Sequence, residues 1–163
     1  MQIVKLIKAH NNDFSKITSL AKTIWHQHYI NIISIEQINY MLDKMYSEKS
    51  LVEQTSILNH LFYFIEYNNN HVGFISFNEN EPYNWHINKF YILQDVATNG
   101  IGTLSFNALL KLISPKTITL TVNRKNYKSI NFYFKNGFKL KAVKDFDIGN
   151  GFVMEDFIME WKV

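Results

Sequence analysis

The chain contains no cysteine, which excludes a disulfide framework, thiolate metal sites and a cysteine nucleophile, and fits a reducing compartment. Glycine and proline are scarce, six and two in 163 residues, so the sequence is neither collagen-like nor a low-complexity linker. Charged residues make up only 19% of it, and the lysines behind the net charge of +3 are scattered. No Lys/Arg block marks a nucleic-acid footprint, so no nucleic-acid partner is expected. The longest unbroken apolar run, Leu61 to Ile65, falls far short of the ~20 residues a membrane helix needs, and the start Met1-Gln2-Ile3-Val4-Lys5 lacks a signal-peptide core. A cytoplasmic protein without a membrane partner is the expectation. What the sequence does have is core material: 47% hydrophobic residues and 15% aromatics, enough for one domain spanning residues 1–163.

From Asp13 the positions Ile17, Leu20, Ala21, Ile24, Trp25 and His28 share one face at helical spacing. Ser34, with Gln37 three residues on, reads as an N-cap opening a second helix whose inner face would carry Ile35, Ile38, Leu42 and Met45. A third helix is expected from Ser50 to about Leu58. Leu61–Tyr67 and Val72–Phe77 then read as a hairpin around Asn68-Asn69-Asn70, with Asn78 to Pro82 breaking it. Trp85–Leu93 is a further strand, followed by a turn and a helix from Gly102 to about Ile113, which Pro115 ends. Thr117–Val122 alternates Thr with apolar residues as a strand does, and a short helix from about Lys125 to Lys135 closes at Asn136-Gly137. Two last strands, about Phe138–Phe146 and Phe152–Trp161, flank Gly149-Asn150-Gly151. The order describes a mixed α/β domain, which by itself specifies no function.

Chemistry concentrates where the strand ending Phe90-Tyr91-Ile92 runs through Thr98-Asn99-Gly100-Ile101-Gly102-Thr103 into a helix. The first amides of a helix lack partners, the dipole is positive there, and glycine admits an anion close to the backbone, so the turn suits a phosphate. Two familiar phosphate motifs fail on spacing. Ser105 stands where a dinucleotide fold needs its third glycine and Leu120-Thr121 where it needs an acid, while Gly102 is followed by Thr103-Leu104 and not by the Lys-Ser/Thr of a nucleotide P-loop.

Taken with Val122-Asn123, Asn126, Ile130, Phe132-Tyr133 and Gly137-Phe138, the Tyr91-Ile92 and Gly100-Ile101-Gly102 segments resemble the GNAT superfamily of acetyl-coenzyme A-dependent N-acyltransferases, in order and spacing. Three positions depart from the family pattern: Ala97 replaces a usual Gln or Arg, Gln94 a common Pro, and Ser129 a common Ala. The resemblance covers nearly the whole chain. It implies a mostly antiparallel, splayed sheet of about seven strands with helices on both faces.

The resemblance further implies acetyl-coenzyme A as co-substrate and no metal. Main-chain groups of Phe90, Tyr91 and Ile92 would hold the pantetheine arm, the Thr98–Thr103 amides the pyrophosphate, and Asn126 the coenzyme from the next helix. Tyr133 would protonate the departing thiolate. In relatives a carboxylate often precedes the phosphate loop; the equivalent stretch here offers His86 as the candidate base, directly or through water. Trp25, His28, Tyr29 and Ile33, at the joint of the first two helices, would line the pocket for an amine of a small molecule or peptide. A homodimer is compatible with the family. His26 and His28, two residues apart, point to different helix faces and make a poor metal pair. The rival reading is a non-catalytic acyl-coenzyme A sensor, which Ala97 and the lack of an acid near His86 favour and Asn126 and Tyr133 oppose.

Overall fold

In the computed structural model, which describes residues 3–98 and 100–163, strand β1 (Val4–Lys8) leads through a 3-10 turn into helix α1 (Phe14–Tyr29). Ile17, Ala21, Ile24 and Trp25 on its expected face are at most 1% exposed, burial that contributes about 1.5–3 kcal/mol for each large apolar side chain. The Ser34 hydroxyl accepts from the Gln37 amide and caps α2 (Ile35–Tyr46). Its inner face differs from the expected one: Ile38, Met41 and Tyr46 are buried, whereas Ile35, in the first turn, is 39% exposed. Tyr46 is drawn inward by the Trp25 indole N–H, which donates to its hydroxyl. Helix α3 (Glu48–Ser56) starts two residues earlier than expected because Ser47, and not a later residue, supplies the cap.

The sheet follows as β2 (Leu61–Tyr67), β3 (Asn70–Glu81), β4 (Asn84–Ile92), β5 (Thr117–Asn123), β6 (Lys139–Gly149) and β7 (Phe152–Lys162), with α4 (Ile101–Ile113) after β4 and α5 (Tyr127–Lys135) after β5. Asn78 to Pro82 does not end β3 where the sequence suggested. Asn78 pairs with His86 and Glu79 with Trp85, so cross-strand bonding overrides the poor strand propensity of Asn and Glu, and the turn moves to Pro82-Tyr83.

The seven strands lie in the order β1-β2-β3-β4-β5-β7-β6. Every neighbouring pair is antiparallel except β4 and β5. Their parallel ladder runs only from Asn84↔Thr117 to Ile87↔Leu120. At that point Asn88 is an extra residue in β4, since Lys89 faces Ser76 and Ile87 faces Phe77. Such a bulge bends and twists its strand, and its amide is tied to Asn78 at 2.8 Å. Beyond it β4 stays with β3 and β5 with β7, so the sheet opens between its two central strands.

Helices α1, α2 and α3 pack on the face that carries Phe62, Phe64 and Phe74. Helices α4 and α5 pack on the face that carries Ile75, Ile87, Ile118, Leu120 and Met159. Helix α2 also reaches the β6–β7 hairpin, Gln37 donating to the Val153 carbonyl and Tyr40 to that of Ile148, and a cavity lies between α1, α2 and the sheet. No helix among the described residues is long and apolar enough to cross a membrane.

Candidate active site

The gap between β4 and β5 leaves backbone groups without a strand to bond. The Leu93 N–H donates to Val72 at 2.8 Å, and in an antiparallel ladder bonded and open residues alternate. Tyr91, opposite Phe74, therefore spends its main chain on β3, while Phe90 and Ile92 turn theirs to the gap. This corrects the expectation that all three would face a ligand. The Ile92 carbonyl is taken as well, by the His28 ring at 3.1 Å, so the Ile92 N–H and the main chain of Phe90 are what β4 offers.

Two voids flank this opening. The larger, about 700 Å³, is lined by β4, β5, β6, β7 and the first two helices. A narrow one of about 100 Å³ runs past Ala97, Gly102, Lys128 and Ser129 toward the turn after β4. In that turn the Val96 and Ala97 amides bond back to Leu93 and Gln94. Gly100 adopts φ +71°, a left-handed conformation suited to glycine, and opens α4 as its N-cap. The Ile101, Gly102 and Thr103 amides of the first turn then point outward along the helix dipole. Gly102 is glycine for space, since a Cβ there would come within 2.8 Å of the Phe132 ring. Asn99, expected to share this turn, lies outside the described residues.

His28, Phe90, Ser129 and Tyr133 line both voids, so Tyr133 stands where the two meet. It is 8% exposed and braced by the Phe132 and Phe138 rings. Burial pushes its phenol pKa upward, which keeps the proton on the oxygen throughout the working pH range. Asn126 caps α5, its side-chain oxygen accepting from the Ser129 amide at 3.2 Å. Only its NH₂ group remains to donate to a ligand, a narrower role than the sequence suggested.

His86 lines the larger void from β4, its Nδ1 within 2.8 Å of the Thr119 hydroxyl. Burial lowers its pKa, so the imidazole is neutral and can accept a proton near pH 7. Tyr29 and Trp25 form one aromatic wall with Tyr91. Trp25 is 1% exposed and its N–H is committed to Tyr46, so it shapes the wall without offering a polar contact. Ile33 does not reach the void; it packs against the core under α1, where the chain turns from α1 into α2. The His26 ring bonds its own helix at the Lys22 carbonyl, 2.7 Å away, and so turns from His28.

Two buried ionisable residues of the larger void, Asp156 and Lys89, were not anticipated from the sequence. Asp156, on β7 opposite Asn123, is 6% exposed, and its Oδ1 has no hydrogen-bond partner. Burial pushes its pKa up to about 6. Lys89 is 4% exposed, bonded to the Gln54 amide oxygen and held over the Tyr46 and Phe62 rings. Burial pulls its pKa down to about 7 from an ordinary 10.5. Between those values the unfolded chain holds the proton that the folded chain has released, so this lysine makes the fold more stable as pH rises from 7 to 10.5. Replacing it removes that slope. The stability of Lys89→Met relative to the parent is expected to be greatest near pH 6 and to decline across that window, as thermal melts over pH would record.

An open sheet with this strand order, split between a parallel central pair and followed by a glycine-capped helix, is an acetyltransferase architecture. The sequence model of the Acetyltransferase (GNAT) family matches residues 25–138, and the chain belongs to that family as an N-acetyltransferase that acts with coenzyme A. It is 28% identical to the spermidine N(1)-acetyltransferase of Thermoplasma acidophilum, over 93% of this chain and 96% of that one. The crystal structure of the PaiA N-acetyltransferase of Thermoplasma acidophilum in complex with coenzyme A superposes with a TM-score of 0.77 at 27% identity, covering 99% of each chain. A GCN5-related N-acetyltransferase from Rhodopseudomonas palustris shares the fold at a TM-score of 0.79 and 18% identity, covering 100% of this chain and 96% of that one.

Proposed function

We propose that the chain works as one catalytic domain that moves an acetyl group from acetyl-coenzyme A directly to the primary amine of a small molecule or peptide. The observation that carries this reading is the position of Tyr133 at the junction of the narrow and the wide void. The narrow void reaches Gly102 in the first turn of α4 and would lead the pantetheine arm to the helix amides that suit the pyrophosphate. The wide one has the size and the mixed polar and aromatic lining of a small-molecule site. The Thermoplasma acidophilum relative, named for spermidine, supports a small amine as acceptor.

The amine nitrogen attacks the thioester carbonyl carbon, and its lost proton passes to His86, directly or through water. An outward amide of β4 stabilises the oxyanion. The carbon–sulfur bond then breaks, and the thiolate takes the phenolic proton of Tyr133. Holding both substrates in one cleft supplies much of the acceleration. No acyl-enzyme forms in this reading, because the chain has no cysteine and no recognisable activated serine.

Release of free thiol over a panel of amines tests this. Steady release that requires both acetyl-coenzyme A and an amine is expected. Coenzyme binding with no release from any amine would instead establish the sensor reading.

A further inference from the structure

The turn before α4, to which the reading above gives the coenzyme's diphosphate, carries no cation. From Leu93 to Leu110 the sequence has no lysine or arginine, and its one charged residue is the carboxylate of Asp95. The α4 dipole supplies only about half an elementary charge, whereas a diphosphate is doubly charged. Ala97 adds a methyl group where the narrow void passes the turn. Backbone amides can hold such an anion in place, but most of its charge is left without a counterion.

The α5 side of the narrow void supplies one. Lys128, in the first turn of α5, lines that void together with Ala97 and Gly102. Its basic neighbours in sequence are spent on β6 and β7: Arg124 bonds Asp145 at 2.7 Å and lies 3.5 Å from Glu155, and Lys125 lies 3.9 Å from Glu155. Lys128 has no such partner among the described residues. The imidazole that shares the void adds no charge. Burial lowers the His28 pKa, and the Lys128 ammonium lowers it further, which leaves Lys128 as the one cation lining the narrow void among the described residues. Phe90, Ile92 and Phe132 make the rest of the wall apolar, so no other side chain there offers an anion a charge.

Resting on the assignment of this void to coenzyme A, we propose that Lys128 is the counterion of the diphosphate, binding it from α5 while the α4 amides hold the same group from the turn. An ammonium on a flexible four-carbon stem acts on a phosphate as a point charge. The charge that selects the phosphorylated donor then comes from the helix after β5 and not from the turn after β4, and alanine at position 97 is tolerated for that reason. The arrangement favours coenzyme A thioesters over phosphate-free thioesters of the same acyl group. Because Lys128 is exposed, salt screens its attraction for the diphosphate.

Calorimetric titration of the parent and of Lys128→Met with coenzyme A and dephospho-coenzyme A, and with pantetheine through its competition against coenzyme A, tests this. The substitution is expected to weaken coenzyme A and dephospho-coenzyme A alike by at least about tenfold at low salt, the effect of one hydrogen bond to a charged group. The loss is expected to be absent for pantetheine, which has no phosphate. Affinity for coenzyme A is expected to fall more steeply with salt in the parent than in the variant. Equal loss for all three ligands would show a structural role and overturn the proposal, and so would an affinity for coenzyme A unchanged by the substitution. Loss confined to coenzyme A, with dephospho-coenzyme A unaffected, would move the lysine to the 3′-phosphate and overturn the diphosphate assignment. No binding of coenzyme A by the parent would overturn the reading of the cleft itself.

Discussion

Replacing Tyr133 by Phe is expected to lower kcat by at least about 100-fold, the usual contribution of a positioned proton donor, while coenzyme affinity changes little. The ring itself fills space between Phe132 and Phe138, and phenylalanine preserves that packing. Only the hydroxyl at the junction of the two voids is lost. Because burial raises the phenol pKa, the group remains a donor across the pH range in which an amine can attack, and its deprotonation should not appear as an alkaline limb in the rate profile. Stopped-flow detection of thiol release at saturating substrates, with calorimetric titration of coenzyme A, separates the two quantities. A variant with parental kcat would remove Tyr133 from the chemistry.

The second large effect is expected from a residue that touches no ligand. A Cβ on Gly73 would lie 2.1 Å from the Tyr91 carbonyl oxygen and 2.9 Å from the Ile92 Cα. Both obstacles are backbone, so no side chain can rotate away, and Gly73→Ala must push β4 off β3 along the segment that lines the cleft. Overpacking of this kind costs at least about 2 kcal/mol, or about 4–8 °C in melting temperature for a chain of this size. The displaced Phe90 and Ile92 amides should weaken coenzyme binding in the same variant. A parental melting curve and parental affinity together would show that β4 tolerates the shift and that its exact course is unimportant.

Much of the fold was legible because its signals are local. The alternation in Thr117–Val122 marks β5, and Ser34 with Gln37 marks the start of α2. The turn from β4 through Gly100 into α4 was legible for the same reason: a strand, a glycine and a helix follow one another in sequence. What was not legible depends on long-range partners. The extension of β3 to Glu81 follows from pairing with β4, and no window of Asn and Glu announces it. The division of labour among Phe90, Tyr91 and Ile92 depends on which of them β3 has already bonded.

The charged residues of the wide void illustrate the limit best. Lys89 reads in sequence as one of many scattered lysines, and only the helices packed over β4 bury it. Asp156 shares a strand face with Met154 and Ile158, an alternation that could have flagged it as an acid at an inward position. Its meaning still depended on knowing that this face of β7 lines a cavity. Ile33 failed for the opposite reason: the α1–α2 joint does approach the site, but that side chain turns into the core.

The most direct test is a crystal structure of the complex with coenzyme A. The account predicts the pyrophosphate against the first amides of α4, the pantetheine between β4 and β5, and the sulfur within hydrogen-bonding reach of the Tyr133 hydroxyl. A coenzyme bound elsewhere, or a sulfur remote from that hydroxyl with the cleft occupied, would contradict it.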